Sequence, residues 1–228
     1  MKLPRHALRL RRARGRPAHQ VVAWAGAAWL LCAAAGGLAG LRVNTSPSIP
    51  PGLYRVSAAP VVRGACVLLC PPPTPVFALA RARGYLGAGF CAGGYGYLMK
   101  QVLALPGDQV DFAARGVSVN GRLLVGSAPL AADLAGRPLP RTAPRALTLA
   151  AGELLLMSPA RPQAFDARYF GPVAQAQVKS VIVPLLTWPP GGQTDQSICR
   201  PANARAAAAP ANPWRGAHAA PRPTHEKE

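Results

Sequence analysis

Hydrophobic residues fall along this chain in one long block and several short ones. The block is 21-VVAWAGAAWLLCAAAGGLAGL-41, an apolar stretch with no charged residue. As a helix rising about 1.5 Å per residue it is long enough to cross a hydrocarbon core of roughly 30 Å. Shorter runs follow, divided by turn residues. Val67–Cys70 stops at Pro71-Pro72-Pro73, and 77-FALARARGYL-86 has helical spacing. The run 97-YLMKQVLAL-105 predicts a strand buried on both faces apart from Lys100, ended by Pro106-Gly107-Asp108. In 117-VSVNGRLLV-125, Asn120-Gly121 between apolar pairs predicts a hairpin. Two more strands are predicted at 153-ELLLMS-158 and near 178-VKSVIVPLL-186.

The intervening segments are of three kinds. The string 87-GAGFCAGGYG-96 approaches a dinucleotide-binding glycine pattern but lacks the strand before it and the helix after it, so it reads as a tightly turning loop. Residues 126–146 read as a loop, and from Trp188 onward Pro, Ala, Arg and Gly without periodicity predict disorder. The segment 43-VNTSPSIPPGLYRV-56 is stiff, rich in hydroxyls and offers almost nothing to a core. The pattern predicts a mainly antiparallel β domain over residues 42–187. A basic segment 1–20 and a membrane span 21–41 precede it, and a tail 188–228 follows it.

Charge adds orientation. The formal net charge is +18, and Lys2, Arg5, Arg9, Arg11, Arg12, Arg14 and Arg16 all precede the apolar block, whereas every acidic residue lies at Asp108 or later. A basic flank on one side only places the N-terminus in the cytoplasm and everything from Arg42 onward outside. A signal peptide cut near Ala33-Ala34-Ala35 competes with an uncleaved anchor, but the span continues apolar beyond that point. The remaining basic residues are scattered without aromatic interleaving, so no nucleic-acid partner is expected. Export permits disulfides. Cys70 and Cys91 flank the Gly- and Ala-rich excursion a bridge would staple, with Cys66 or Cys199 able to compete for the pairing.

The chemistry available is narrow. No histidine lies between Val21 and Ala217, which excludes a Ser-His-Asp triad, Cys-His chemistry and a histidine-bearing zinc site in the domain. Between Arg42 and Trp188 there are two lysines, Lys100 and Lys179. Lys100 sits among Leu98, Met99, Val102 and Leu103; burial there would lower its pKa and let the neutral amine act as a base. An edge-strand lysine pointing at solvent is the other reading. Ser48 stands between Pro47 and Ile49-Pro50-Pro51-Gly52, where restricted backbone would hold an attacking oxygen still. The same stiffness suits a spacer that lifts the domain from a membrane.

These residues resemble a known family. Ser46-Pro47-Ser48-Ile49-Pro50-Pro51-Gly52-Leu53-Tyr54 resembles the nucleophile box of type I signal peptidases (S26), and 97-YLMKQVLALPGDQV-110 resembles their lysine box. The hairpin 117-VSVNGRLL-124 resembles the box that follows, and 166-DARYFGPV-173 the closing one. The conjugative-transfer, TraF-type subgroup is the most similar. The resemblance implies a signal-peptidase-like β domain with Ser48 as nucleophile, Lys100 as general base and the Ser48 backbone N–H as an oxyanion donor. It further implies Ser46 as a second oxyanion donor and Asp166 as a residue needed for activity, paired with Arg168. The family usually carries serines two before and one after this aspartate, and the first often orients the lysine. Here they are Ala164 and Ala167, so Lys100 must find another partner.

The expectation is a membrane-anchored serine endopeptidase with no cofactor and no metal. Its partners would be inner-membrane lipid and exported precursors, above all a conjugative pilin precursor with possible cyclisation. The alternative is a non-enzymatic, membrane-tethered β domain of a secretion apparatus. A self-cleaving Ser/Lys repressor fails on the membrane span and the missing DNA-binding helices.

Overall fold

The computed structural model describes residues 18–158, 161–188 and 198–199. The chain divides into two compact units, 1–42 and 43–228. In the first, helix α1 (Ala18–Leu38) has a mean hydropathy of 1.8 in its most apolar window, and almost its whole length is exposed. Apolar side chains on every face suit a bilayer rather than a half-buried surface position. The helix begins three residues ahead of the uncharged block and stops at Ala39-Gly40, where Gly40 has a φ of 80°. Residues 1–17 lie outside the description.

The second unit is mainly β. Its larger sheet has the order β1 (Leu41–Asn44), β2 (Gly52–Ser57), β12 (Val178–Thr187), β3 (Cys66–Leu69), β5 (Leu98–Ala104), β10 (Glu153–Met157) and β11 (Val173–Ala174). The smaller sheet has the order β8 (Arg122–Leu123), β7 (Gly116–Val119), β6 (Gln109–Ala113) and β9 (Ala146–Thr148). Strand β4 (Ala88–Cys91) and two short helices, α2 (Pro75–Ala82) and α3 (Ala167–Phe170), lie between these strands in sequence.

Strand β5 is central, paired antiparallel with β3 on one side and β10 on the other. Lys100 therefore cannot reach solvent past a sheet edge. Strand β3 is buried on both faces, and its alternation divides the interior in two. Val67 and Leu69 join the main core with Val102, Ala104, Leu154, Leu155 and Leu156. Cys66 and Leu68 face a smaller cluster with Ile49, Tyr54, Ile182 and Cys199.

The strands anticipated around 97–105, 117–125, 153–158 and 178–186 form within a few residues of those limits. Asn120 (φ 50°) and Gly121 (φ 77°) make the tight turn between β7 and β8. The helix over 77–86 is displaced: it starts on Pro75 and ends by Ala82, because Gly84 at φ 77° closes it with Tyr85 N–H donating to the Ala80 carbonyl. The glycine-rich loop contains β4, and a disulfide joins Cys91 to Cys70 at the end of β3, with Cα atoms 5.4 Å apart. Cys66 does not compete for that pairing; it is bonded to Cys199, Cα to Cα 4.9 Å.

Two readings of the chain are corrected. The segment 43–56 does supply core: Ile49 and Tyr54 are fully buried, and its second half is strand β2. Gly52 is required there, because a Cβ would run into the Leu186 carbonyl of β12. The expectation of disorder from Trp188 fails at Ile198–Cys199, which re-enter the domain. The rest of that tail, 189–197 and 200–228, lies outside the described residues.

Candidate active site

Lys100 is 1% exposed, yet both its hydrogen-bond partners are hydroxyls. Its Nζ lies 3.1 Å from Ser48 Oγ and 2.9 Å from Ser158 Oγ. Burial pulls its pKa down from 10.5 to about 8; the Asp166 charge opposes this shift and the Arg168 charge adds to it. A buried amine within hydrogen-bond reach of a serine hydroxyl can take that hydroxyl's proton.

Ser48 is held from below by the turn that precedes β2. Asn44, 4% exposed, makes the frame: its Nδ2 donates to the carbonyls of Ser46 (2.9 Å), Ile49 (3.0 Å) and Pro50 (3.2 Å). Its Oδ1 accepts from the Ser46 backbone N–H (3.0 Å) and the Ser46 hydroxyl (2.9 Å). The Tyr54 hydroxyl donates to the Pro50 carbonyl from the small core. Three prolines limit the backbone, Asn44 and Tyr54 tie down the Ser46, Ile49 and Pro50 carbonyls, and the Trp188 N–H donates to that of Pro51. Neither Asn44 nor Tyr54 was given a role from the sequence, although an Asn opening a Thr-Ser-Pro turn is an Asx-turn signal. Ser46 reaches the same site, with its single hydroxyl proton directed at Asn44.

Ser158, at the end of β10, is the partner Lys100 lacked. Its backbone N–H donates to Asp166 Oδ2 at 2.9 Å. Asp166 Oδ1 accepts from Arg168 N (3.1 Å) and Nε (2.8 Å), and Oδ2 accepts from Arg168 Nη2 at 2.7 Å. The Asp166 and Arg168 side chains are almost fully buried. Arg168 also donates to the carbonyls of Arg161 (2.8 Å), Pro162 (2.8 Å) and Ala164 (3.2 Å), fastening the return from β10 to α3. Burial works against the guanidinium, but hydrogen bonding and charge from Asp166 outweigh it and its pKa is raised. Asp166 thus touches neither Ser48 nor Lys100; it anchors Ser158, which touches Lys100.

Ser46, Pro47, Ser48, Leu98 and Lys100 line a cleft of about 390 Å³. Another part of its wall comes from the segment read only as a loop, through Leu130, Asp133, Leu134 and Leu139. That wall is tied in place. The Asp133 carboxylate accepts from the Tyr85 hydroxyl and from Arg137 Nε (2.7 Å), and Leu130 N–H donates to the Tyr169 hydroxyl at 3.0 Å. The Tyr85 bond, with those from Arg137 and Ala135, holds the Asp133 carboxyl well below the usual range. Apolar walls around a few convergent polar groups are characteristic of a ligand-binding cleft.

Known proteins resemble this chain over most of its length. The profile of the family "Signal peptidase, peptidase S26" matches residues 18–186. A plasmid transfer protein TraF of Escherichia coli is 58% identical over 164 residues, covering 72% of this chain and 92% of its own. A conjugal transfer protein TraF of Agrobacterium tumefaciens is 39% identical over 153 residues, covering 66% of this chain and 85% of its own. Among solved structures, a signal peptidase I of Enterococcus faecalis aligns with a TM-score of 0.34 and 21% identity. That alignment covers 55% of this chain and 98% of that one.

Proposed function

The chain belongs to the signal peptidase S26 family, and from that premise we propose that it is a membrane-anchored serine endopeptidase using a Ser48/Lys100 dyad. The observation that carries this reading is the 3.1 Å separation of Ser48 Oγ from a fully buried Lys100 Nζ. Ser48 Oγ forms a bond to the scissile carbonyl carbon as its proton passes to Lys100 Nζ. The Ser48 backbone N–H donates to the oxyanion so formed, a contact worth a few kcal/mol in the transition state. The intermediate collapses by breaking the C–N bond, and the leaving amine takes the proton from Lys100. Lys100, neutral again, takes a proton from the second nucleophile, water or an amine of the substrate, as that nucleophile bonds to the ester carbonyl carbon. The Ser48 Oγ–C bond then breaks and Oγ takes the proton back from Lys100. Ser46 joins the oxyanion site only if its hydroxyl leaves Asn44. Asp166 and Arg168 hold Ser158, and Ser158 aims Lys100.

The relatives' printed names, plasmid transfer and conjugal transfer, support a substrate exported for conjugation, a pilin precursor first among them. Helix α1 serves as the anchor, with the basic N-terminus in the cytoplasm and the catalytic domain in the periplasm. Two disulfides in the domain suit an oxidising compartment.

The test is Ser48→Ala and, separately, Lys100→Met in the full chain, expressed in cells with a pilin precursor of a plasmid transfer system. Precursor should accumulate unprocessed in both, at membrane levels of protein equal to wild type. Mature pilin at the normal rate with either variant would end the peptidase reading.

A further inference from the structure

The small core behind β2, β12 and β3 contains two residues that the sequence assigns to a structureless tail. Its fully enclosed members are Ile49, Tyr54, Cys66, Leu68, Ile182 and Cys199, and Ile198 packs against them. Cys199 is 1% exposed and is held by its disulfide to Cys66, 133 residues away in sequence. Nothing in the local composition around residue 198 would return the chain to the domain; the disulfide and this apolar cluster do so.

The placement matters because of what the cluster supports. Ile49 immediately follows Ser48 and is itself 1% exposed. Tyr54, from the same cluster, bonds the Pro50 carbonyl. On the sheet, Cys66 is opposite Gln101 of β5, and the next pair in register is Val67 with Lys100. The disulfide therefore joins the tail to the strand beside the one that carries the lysine, while the residues it brings in complete the core under the serine.

We infer that Ile198 and Cys199 form a plug, fastened by the Cys66–Cys199 disulfide, that fixes Ser48 in register with Lys100. Cys199 is thereby a positioning residue for the peptidase reaction. This rests on the reading of Ser48 as the nucleophile. Without the plug, the cluster that encloses Ile49 loses two members, and the 47–52 turn relies more on its polar ties to Asn44, Tyr54 and the Trp188 N–H. A small displacement of Ser48 Oγ then breaks its one bond to Lys100, and misplacement by about 1 Å costs up to roughly 100-fold in rate.

The experiment uses the full chain in membranes, as wild type, Cys199→Ser, Ile198→Ala (which keeps the disulfide) and the double change Cys70→Ser/Cys91→Ser. Amide hydrogen exchange is read at Ile49 and Leu53–Val56, and kcat and KM are measured on the same pilin precursor. Cys199→Ser should speed exchange at those amides and lower kcat about tenfold, with KM within about twofold. Ile198→Ala should move both in the same direction by less. The Cys70/Cys91 change should leave exchange at those amides as in wild type. Unchanged exchange at Ile49 in Cys199→Ser, or faster exchange with kcat unaltered, would overturn the plug. An equal rise in exchange across the whole domain would do so as well, since it reports general loosening. Faster local exchange in a chain whose Ser48→Ala form still processes precursor would sink the peptidase reading and leave the plug's structural part standing.

Discussion

Lys100 and Arg168 are two cations buried in one domain, 1% and 3% exposed, and their surroundings differ in kind. Arg168 meets a carboxylate through two side-chain bonds and three carbonyls besides, all groups that only accept. Lys100 meets two hydroxyls, Ser48 and Ser158. A hydroxyl accepts from an ammonium and can equally donate to a neutral amine, so Lys100 is satisfied in either protonation state. A guanidinium cannot give up its proton, and its partners could not use the change. Burial alone does not make a base. Burial lowers Lys100 to about 8 beside partners that serve either charge state, whereas Asp166 pushes Arg168 up against the same burial.

The two cations differ most sharply in their dependence on Asp166. Asp166→Ala leaves a guanidinium buried without its carboxylate and the Ser158 N–H without an acceptor. We expect a loss of about 3–5 kcal/mol in urea unfolding together with lost precursor processing. Full stability in this variant would show that the ion pair is not what holds the Arg161–Ala164 turn.

Ser158→Ala acts on the other cation. One buried hydrogen bond to Lys100 disappears, and processing should fall about tenfold, equivalent to roughly 1.4 kcal/mol. The unfolding midpoint should move little. Ser158→Thr, which keeps the hydroxyl, should recover most of the rate.

The gentlest probe is pH. The folded-state pKa of Lys100 lies below its ordinary 10.5, so kcat/KM should climb with pH and level off above an apparent pKa of about 8. For stability the sign follows from linkage. Between about 8 and 10.5 the unfolded chain binds more protons at this site than the folded one, so this group's penalty is fully present below 8 and fades as pH rises through that window. Lys100→Met should flatten that part of the stability curve. A wild-type rate independent of pH from 6 to 9 would remove Lys100 as the titrating base.

Much of the candidate site was legible in the chain because its members sit in short, stereotyped strings. Ser48 between prolines, Lys100 in an apolar strand ending at Pro106-Gly107-Asp108, and Asp166 two residues before Arg168 can each be found by reading along. The supporting residues cannot. Ser158 is one more serine after a strand until the β5–β10 pairing sets it beside Lys100. Asp133 and Leu130 lie in a segment without periodicity, and they become a cleft wall only through Tyr85 and Tyr169. Strands β2 and β6 were missed because turn residues crowd them and each offers too few alternating positions to stand out.

Local physics decided the apolar N-terminal helix, the central strands, the Asn120-Gly121 turn and the residue types able to do chemistry at all. Those depend on periodicity, backbone restriction and the absence of histidine from the domain, all written in neighbouring residues. The protonation behaviour of Lys100 was decided only in three dimensions. So were its choice of Ser158 as partner, the division of the interior into two cores, and the return of Cys199 beneath the serine. Each of these is set by which distant groups share a buried space, and neither burial nor hydrogen-bond partnership across 50 or more residues has a local signature. The short segment 43–56 shows both sides: its prolines announce stiffness, while the packing of Ile49 and Tyr54 decides what that stiffness holds in place.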